Sequence, residues 1–360
     1  MRIIQIIDSL EAGGAERMAI NYANALSSTI QFSGIIVTRK EGILKSEINN
    51  NVDYLFLNKI KILDYKAIYT LVSYCKKNKI NLIHAHTSSF FLACLVKLFY
   101  IKVKIIWHDH YGLSDYLDNR KSFVLKIASV FFFGIVTVNE NLKNWALKKL
   151  FCKNVINLPN FTTVISNEEK DTILKGTSKK RILCLANLRI QKNHHFLLAV
   201  AKRINLIYQD WSFHLVGKDF NDAYSEEIKI KTKELDLNNY VFFYNSRKDI
   251  QHIINQSEIC ILTSQSEGLP IALLEYGLFK KPVVVTNVGE ISSIITHEIN
   301  GFIVDKDNED DFFKRVLYLI ENEEKRQEFG NLLFDKITNN HSEKVVIANY
   351  LYWITSKYNA

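Results

Sequence analysis

Residues 263–289 run TSQSEGLPIALLEYGLFKKPVVVTNVG, and this stretch decides the fold of the C-terminal half. The apolar run Ile259–Leu262 precedes it and is typical of a buried strand, and residues 282–286 predict another strand. Between them, Pro270 suits the first turn of a helix, where its missing N–H costs nothing. The stretch therefore predicts the order strand, loop, helix, strand.

Two glutamates, Glu267 and Glu275, stand eight residues apart around the predicted helix start. Eight residues is about two helical turns, so both carboxylates can face one ligand along the helix start. The free N–H groups there favour a phosphate, whereas carboxylates accept hydrogen bonds from sugar or ribose hydroxyls. This combination indicates a nucleotide-sugar site. A buried ion pair is the alternative, because an unpaired buried carboxylate is costly.

Arg189 and Lys192 follow the first strand pattern of the C-terminal half, Arg181–Leu185. Arg through its fork and Lys as a point charge can grip a pyrophosphate and offset the charge on a departing nucleotide diphosphate. A solvated basic loop is the alternative. Asn193 comes next, and asparagine tolerates a left-handed backbone.

Gly13 and Gly14 follow the first predicted strand, residues 2–7, and precede a predicted helix at 15–26. Glycine lets the backbone approach a diphosphate closely, and the helix start attracts the anion. A plain tight turn is the alternative, in which Glu16 and Arg17 cap the helix or pair on it.

Two His-x-His pairs, His84 with His86 and His108 with His110, end two strand patterns. Alternate residues on a strand share a face, so the members of each pair are directed together. With Asp109 nearby, a metal site is one interpretation, although metal sites usually show tighter ligand clusters. The favoured interpretation is a polar wall at the carboxyl ends of parallel strands, where open α/β sheets bind ligands.

Strand and helix patterns alternate along the chain, which is the signature of parallel, doubly wound sheets. A polar stretch at 166–180 interrupts the alternation, residues 310–358 predict consecutive helices, and 360 residues suffice for two ordinary domains. The other strand patterns lie at 34–37, 52–57, 82–85, 103–107, 135–138, 213–216 and 241–244.

Hydrophobic content of 48% and charged content of 23% are typical of a folded protein. The five cysteines have no paired spacing, so we expect no disulfide framework or zinc ribbon and a reducing, cytoplasmic compartment. The apolar stretch at the N-terminus is too short for a signal peptide, and the longest mostly apolar run, 127–138, is too short to span a bilayer.

The net positive charge of the chain comes from the N-terminal half. Residues 1–165 hold 21 Lys+Arg and 11 Asp+Glu, so the rest of the chain holds 25 and 27 of the totals of 46 and 38. Lysines between residues 76 and 104 are interleaved with Tyr and Phe. No nucleic-acid-binding motif accompanies them, so an anionic membrane surface is the favoured partner and ordinary solvated surface the alternative.

Together these motifs resemble the retaining GT-B glycosyltransferases of family four. The E-G-x-P pattern at 267–270 and the second glutamate at 275 match this family, as do further segments in the same order. These are GGAER at 13–17, HAH at 84–86, WHDH at 107–110, NLPN at 157–160, NLRIQKN at 187–193 and LVG at 215–217. The match covers nearly the whole chain. Lys280 stands where the family commonly has glycine, and Ser293 where it commonly has an acidic residue.

The resemblance implies two Rossmann-like, doubly wound parallel-sheet domains that face each other across a cleft. Residues 1–165 would bind the acceptor and residues 166–344 the nucleotide sugar. The last helix, 345–360, would return to the N-terminal domain.

The resemblance also implies roles for the site residues. Glu267 would contact the donor sugar, Glu275 the nucleotide ribose, and Arg189 and Lys192 the diphosphate. Either His108 or His110 would be the active-site histidine, and strand length favours His108. The other implied residues are Gly13, Gly14, Gly268, Leu269 and Pro270 on the donor side and Glu16 and His86 on the acceptor side.

The implied activity is a retaining, front-face transfer of a sugar from a nucleotide diphosphate sugar, with UDP favoured, to a hydroxyl. The implied acceptor is a lipid-linked or oligosaccharide glycan, handled by a cytoplasmic enzyme at the inner face of the cell membrane, as in bacterial surface polysaccharide assembly. Neither a metal nor another cofactor is expected, because Arg189 and Lys192 are available for the diphosphate. A GT-B sugar-nucleotide 2-epimerase and a non-catalytic GT-B scaffold remain as alternatives.

Overall fold

The computed structural model describes residues 1–163 and 170–358, which form two compact units. The first unit comprises Met1–Phe161 and the C-terminal segment that begins at Glu343, and the second is Thr162–Ser342. The predicted boundary at residues 165 and 166 lies outside the described residues, as do the start of the predicted linker and the last two residues of the predicted C-terminal helix.

Both units are built on parallel sheets with helices as crossovers. The strands are β1 (Arg2–Ser9), β2 (Phe32–Lys40), β3 (Asp53–Phe56), β4 (Leu82–His86), β5 (Lys104–Asp109), β6 (Gly134–Thr137), β7 (Val155–Asn157), β8 (Arg181–Leu185), β9 (Ser212–Val216), β10 (Val241–Phe243), β11 (Ile259–Leu262), β12 (Val283–Thr286) and β13 (Phe302–Val304). The helices are α1 (Gly14–Ser27), α2 (Tyr65–Lys77), α3 (Phe90–Phe99), α4 (Phe123–Ala128), α5 (Glu140–Lys149), α6 (His194–Ile207), α7 (Ala223–Glu234), α8 (Ile250–Asn255), α9 (Ile271–Leu278), α10 (Ile291–Ile294), α11 (Glu309–Glu321), α12 (Glu323–Asn340) and α13 (Glu343–Tyr358).

The first unit has a seven-stranded sheet in the order β3-β2-β1-β4-β5-β6-β7. One hydrophobic core joins this sheet to α2, α3, α4 and α5, while α1 packs in a separate core with β1 and β2. Helices on both faces explain why β1 is an almost continuous apolar run, with Ile3, Ile4, Ile6 and Ile7 all buried.

The last helix, α13, packs in the first unit, as predicted. The hydroxyl of Tyr350 lies 3.0 Å from Nδ1 of His84, and the indole N–H of Trp353 donates to Oδ1 of Asn154 at 3.0 Å. These contacts tie the end of the chain to β4 and to the segment before β7.

The second unit has a six-stranded sheet in the order β10-β9-β8-β11-β12-β13. One face carries a core with α6, α7 and α11, and the other a core with α8, α9, α10 and α12. The two-domain, doubly wound α/β class predicted from the sequence is therefore confirmed.

Each sheet has a point at which the strand order reverses. It lies between β1 and β4 in the first unit and between β8 and β11 in the second. Open α/β sheets bind ligands at the carboxyl ends of the strands at such points. We therefore expect a ligand site in the loops that follow these four strands.

Among the described residues, no helix combines the length and apolar character that crossing a bilayer requires.

Candidate functional site

Two loops meet at the reversal point of the second sheet because β8 and β11 are neighbours. The loop after β8 contains Arg189–Asn193, and the loop after β11 contains residues 263–270. The Gln265 N–H donates to the carbonyl oxygen of Gln191 at 2.8 Å, and the Thr263 hydroxyl donates to that of Lys192 at 2.9 Å. The fold thus joins two predicted donor loops that are far apart in sequence.

An ion pair between Lys192 and Glu267 links the two loops. The Glu267 residue is only 5% exposed, and its Oε1 also accepts a 2.6 Å hydrogen bond from the Ser264 hydroxyl. A buried ion pair, the alternative considered for a glutamate inside the helix, is therefore present at the loop glutamate, and its cation is itself a predicted donor residue. Both charges therefore lie at the junction of the two loops.

Gly289 supports the Glu267 loop from the turn after β12, a role that the sequence analysis missed. Its φ of 55° lies in the left-handed region, and a Cβ there would come within 2.2 Å of the Glu267 carbonyl oxygen. The next residue, Glu290, donates its N–H to the Gly268 carbonyl at 2.9 Å. The only sequence signal for this contact is the glycine that ends the Thr-Asn-Val-Gly segment at the end of a strand.

Helix α9 begins at Ile271, one residue after Pro270, which has an extended backbone with φ −70° and ψ 122°. Glu275 is half-buried inside the helix, and Leu269 is buried in the loop before it. The neighbouring Tyr276 hydroxyl accepts a 2.6 Å hydrogen bond from the N–H of Leu185. This bond fixes α9 against the end of β8.

The loop after β8 keeps the left-handed turn that Asn193 was predicted to allow, with φ 52°. Arg189 is exposed, and its guanidinium carbon lies 4.6 Å from the centre of the Phe220 ring. Lys218 lies 4.9 Å from the same ring centre. Arg189 and Lys218 therefore both lie near the Phe220 ring, beside the loop.

Gly13 and Gly14 lie at the start of α1, at the reversal point of the first sheet. The φ of Gly13 is −165°, which any residue can adopt, but a Cβ there would meet Oε2 of Glu16 at 2.3 Å. Glu16 lies in the first turn and accepts a 3.2 Å hydrogen bond from the Ser9 hydroxyl. Arg17 pairs with Glu47 at 2.6 Å.

The four histidines form a stack at the ends of β4 and β5. The ring centres of His84 and His86 are 4.6 Å apart, and those of His108 and His110 are 3.9 Å apart. Each His-x-His pair is therefore directed together, as predicted. Tyr22 of α1 packs edge-on against His84 and His108.

Burial keeps the histidines neutral. It lowers the pKa of His84, His86 and His108 well below the ordinary value of 6.5 and that of His110 to about 3, with repulsion among the rings as a lesser cause for the first three. A neutral imidazole has one donor and one acceptor nitrogen, so the tautomer of each ring follows from its partners.

Gln5 sets these tautomers through a chain of hydrogen bonds. With the Gln5 amide oxygen facing the ring, His86 Nε2 donates to Gln5 Oε1 at 2.9 Å, and the buried Gln5 Nε2 has no hydrogen-bond partner among the described residues. His86 Nδ1 must then accept, so His110 Nε2 donates to it at 2.9 Å. The arrangement leaves the Nδ1 lone pair of His110 available to accept a hydrogen bond. A glutamine inside the apolar strand RIIQII was the sequence signal for this role.

The preference for His108 over His110 does not fit the structure. Strand β5 runs two residues further than predicted, to Asp109, so His108 lies inside the strand and has no exposed surface. Among the described residues, neither of its ring nitrogens has a hydrogen-bond partner. His110 lies beyond the strand and is partly exposed. His86, predicted on the acceptor side, is likewise completely buried.

The histidine cluster could be considered for a metal, since nitrogens of His84, His86 and His108 lie within 4.8 Å of one another. However, the His84 ring is nearly parallel to those of His86 and His108, at 24° and 10°. Lone pairs lie in the ring planes, so stacked rings direct them side by side rather than towards one ion. Asp109 is held by both terminal nitrogens of Arg120, at 2.6 and 2.8 Å.

An Asp-x-Asp sequence, Asp305 to Asp307, lies away from these loops, in the turn after the edge strand β13. Oδ1 of Asp305 accepts the N–H of Asp307 at 3.0 Å. The pair therefore stabilises its own turn, far along the sheet from β8.

Two doubly wound units with basic and acidic loops at the reversal point are typical of the GT-B class of glycosyltransferases. Family models agree over most of the chain: residues 12–187 match Glycosyltransferase Family 4, and residues 165–332 match Glycosyl transferases group 1. The chain belongs to this family and is a glycosyltransferase.

Relatives extend over nearly the full length. An uncharacterized glycosyltransferase of Haemophilus influenzae is 26% identical, with 87% of this chain and 88% of the relative covered. The UDP-Gal:alpha-D-GlcNAc-diphosphoundecaprenol alpha-1,3-galactosyltransferase of Escherichia coli is 22% identical, with 84% of each chain covered. The crystal structure of HepE from Anabaena with UDP and glucose superposes with a TM-score of 0.80 at 17% identity, covering 99% of this chain and 100% of that one.

Proposed function

We propose that this glycosyltransferase moves a sugar from a UDP-sugar to a hydroxyl of a lipid-linked glycan, with retention of the anomeric configuration, in bacterial surface polysaccharide assembly. The ion pair of Lys192 with Glu267 supports the proposal, because a cation suited to a diphosphate lies beside a carboxylate suited to sugar hydroxyls. The Escherichia coli relative, whose name combines UDP-Gal with a diphosphoundecaprenol acceptor, supports the choice of substrates.

When the donor binds, the two members of the Lys192–Glu267 ion pair would each contact a different part of it. Lys192 and the exposed Arg189 would hold the diphosphate, and the Glu267 carboxylate would accept hydrogen bonds from sugar hydroxyls. Glu275 would take the ribose, and the Gly268, Leu269 and Pro270 segment would shape the wall of the site. In the first unit, Gly13 and Gly14 would offer backbone N–H groups to the diphosphate.

His110 is the better active-site histidine. It is partly exposed and neutral, and with its proton on Nε2 its Nδ1 would accept a hydrogen bond from a donor-sugar hydroxyl. Buried His86 would act through it as a positioning residue, and Glu16 would remain on the acceptor side.

In the chemical step, the bond between the anomeric carbon and the diphosphate oxygen breaks while the acceptor oxygen bonds to the same face. The hydroxyl proton passes to the departing phosphate oxygen. Arg189 and Lys192 would stabilise the negative charge on that phosphate, so turnover would need no divalent metal.

The test is UDP release with and without a polyprenyl diphosphate glycan acceptor, followed by proton NMR of the product linkage. Acceptor-dependent release and an α-linked product from an α-linked donor are expected, and excess EDTA should leave the rate unchanged. Release of UDP from donor alone with a 2-epimerised sugar would indicate an epimerase. No turnover with any donor would indicate a scaffold, and an inverted linkage or a rate restored only by manganese would contradict the mechanism.

A further inference from the structure

Helix α4 has two apolar faces, and one of them points to solvent. Leu125 is buried in the core of the first unit, whereas Phe123, Val124 and Ile127 are 77%, 58% and 51% exposed. Val130, three residues beyond Ile127, is 65% exposed. Residues three and four apart share a helix face, so these side chains form one outward stripe.

The end of α3 extends this stripe. Leu98 and Phe99 are 56% and 62% exposed, and the two helices are in contact, with the Cys94 thiol 3.9 Å from the Ala128 carbonyl oxygen. We call these six exposed residues the α3–α4 surface: Leu98, Phe99, Phe123, Val124, Ile127 and Val130. Contiguous exposed apolar surface of this kind marks an interaction site.

Lysines flank the α3–α4 surface in the sequence, and the acidic residue nearest to it along the chain is Asp118, five positions before Phe123. Lys102, Lys121 and Lys126 are exposed, while residues 65–108 and 119–139 contain no Asp or Glu. Lys126 lies 5.1 Å from the centre of the Phe151 ring, so its charge stands beside further exposed apolar surface. The surface therefore combines apolar side chains with unbalanced positive charge.

We propose that the α3–α4 surface docks onto an anionic lipid bilayer. Apolar side chains would enter the boundary between headgroups and acyl chains, and the lysines would contact anionic headgroups. A second copy of the chain is a poorer occupant, because a two-fold contact would bring the same lysines together. This inference deepens the proposed function, since a lipid-linked acceptor is embedded in such a surface.

The test is co-sedimentation of the full chain with vesicles of phosphatidylcholine alone or mixed with phosphatidylglycerol, without donor or acceptor. We expect binding to the anionic vesicles only, weakened when salt shortens the Debye length from about 10 Å at 0.1 M to about 3 Å at 1 M. Phe123→Ser with Ile127→Ser should reduce partitioning at least about tenfold. Lys121→Gln with Lys126→Gln should reduce it about thirtyfold.

The matched control is Leu206→Ser with Ile207→Ser in the second unit, where the side chains are 70% and 53% exposed. This control should bind as the unmodified chain does, and all variants should keep its thermal midpoint. Equal binding by the α3–α4 variants, or no preference for anionic vesicles, would overturn the proposal. A stable dimer that these substitutions dissociate would also overturn it. Vesicle binding that depends on this surface would stand even if no sugar transfer were found.

Discussion

Glu267 carries a nearly buried charge that Lys192 balances. Removing one partner of a buried pair leaves the other charge uncompensated, which costs more than removing both. We expect Lys192→Met to lower the free energy of unfolding by about 3 kcal/mol and the double variant with Glu267→Gln to recover at least half of that loss. Urea denaturation of the three variants measures this coupling.

Lys229 provides the control for the Lys192 and Glu267 variants, because it pairs with Asp219 and Glu226 on the surface. Lys229→Met should change the unfolding free energy by less than about 1 kcal/mol. Additive effects of the Lys192 and Glu267 substitutions would show that the pair does not act as a unit.

The hydrogen-bond chain from Gln5 predicts the proton positions on two histidines. His86 and His110 should both carry their proton on Nε2 at pH 7, since each donates from that nitrogen. Nitrogen-15 NMR of the imidazole rings distinguishes the two tautomers. A proton on Nδ1 of His110 would remove its proposed function as an acceptor for a sugar hydroxyl.

At the scale of elements, Gly289 couples the turn after β12 to the loop that carries Glu267. Gly289→Ala adds both left-handed strain and a backbone clash, so we expect lower stability and at least about tenfold weaker UDP binding. Gly176 is the control, because its φ of 72° is also left-handed but a Cβ there would meet the Ser212 side chain instead. Gly176→Ala should lose stability and keep UDP affinity, as measured by denaturation and calorimetry. Equal loss of affinity in both variants would count against the coupling.

The elements that the sequence predicts well are those with long apolar runs. Two three-residue edge strands, β7 and β13, were missed, and β7 is merely half-buried. The end of β5 was placed two residues early because a polar His-Asp pair does not resemble a strand. That error shifted the preference to His108.

The candidate site could be proposed from residue types, but its contacts could not be predicted. Arg189, Lys192, Glu267 and Glu275 could be selected from loop chemistry and spacing. The pairing of Lys192 with Glu267 depends on β8 and β11 being neighbours, which local sequence does not encode. The functions of Gln5 and Gly289 likewise arise only from packing.

At the scale of the whole molecule, the histidine stack predicts acid lability of the first unit. The folded-state pKa of His84, His86, His108 and His110 lies below the ordinary 6.5, so their contribution is complete above pH 6.5 and is lost as the pH falls below it. Between pH 7 and 5.5 we expect a loss of about 5 kcal/mol.

Tryptophan fluorescence can follow the first unit alone. Trp107, Trp145 and Trp353 lie in that unit, and Trp211 is the single tryptophan of the second. Urea titrations of Trp211→Phe at pH 7 and 5.5 would therefore report the predicted change. An unfolding free energy that is constant or higher at pH 5.5 would contradict the burial of four neutral rings.

Calorimetric titration with UDP tests the central claim most directly, namely that the loops after β8 and β11 bind the nucleotide diphosphate. The unmodified chain should bind UDP, while Arg189→Ala and Glu275→Ala should weaken binding at least about tenfold, because each loses a charge-assisted contact. Arg203→Ala, a substitution of a surface arginine that pairs with Asp310, should leave affinity unchanged. Equal UDP affinity in all four proteins would contradict the account.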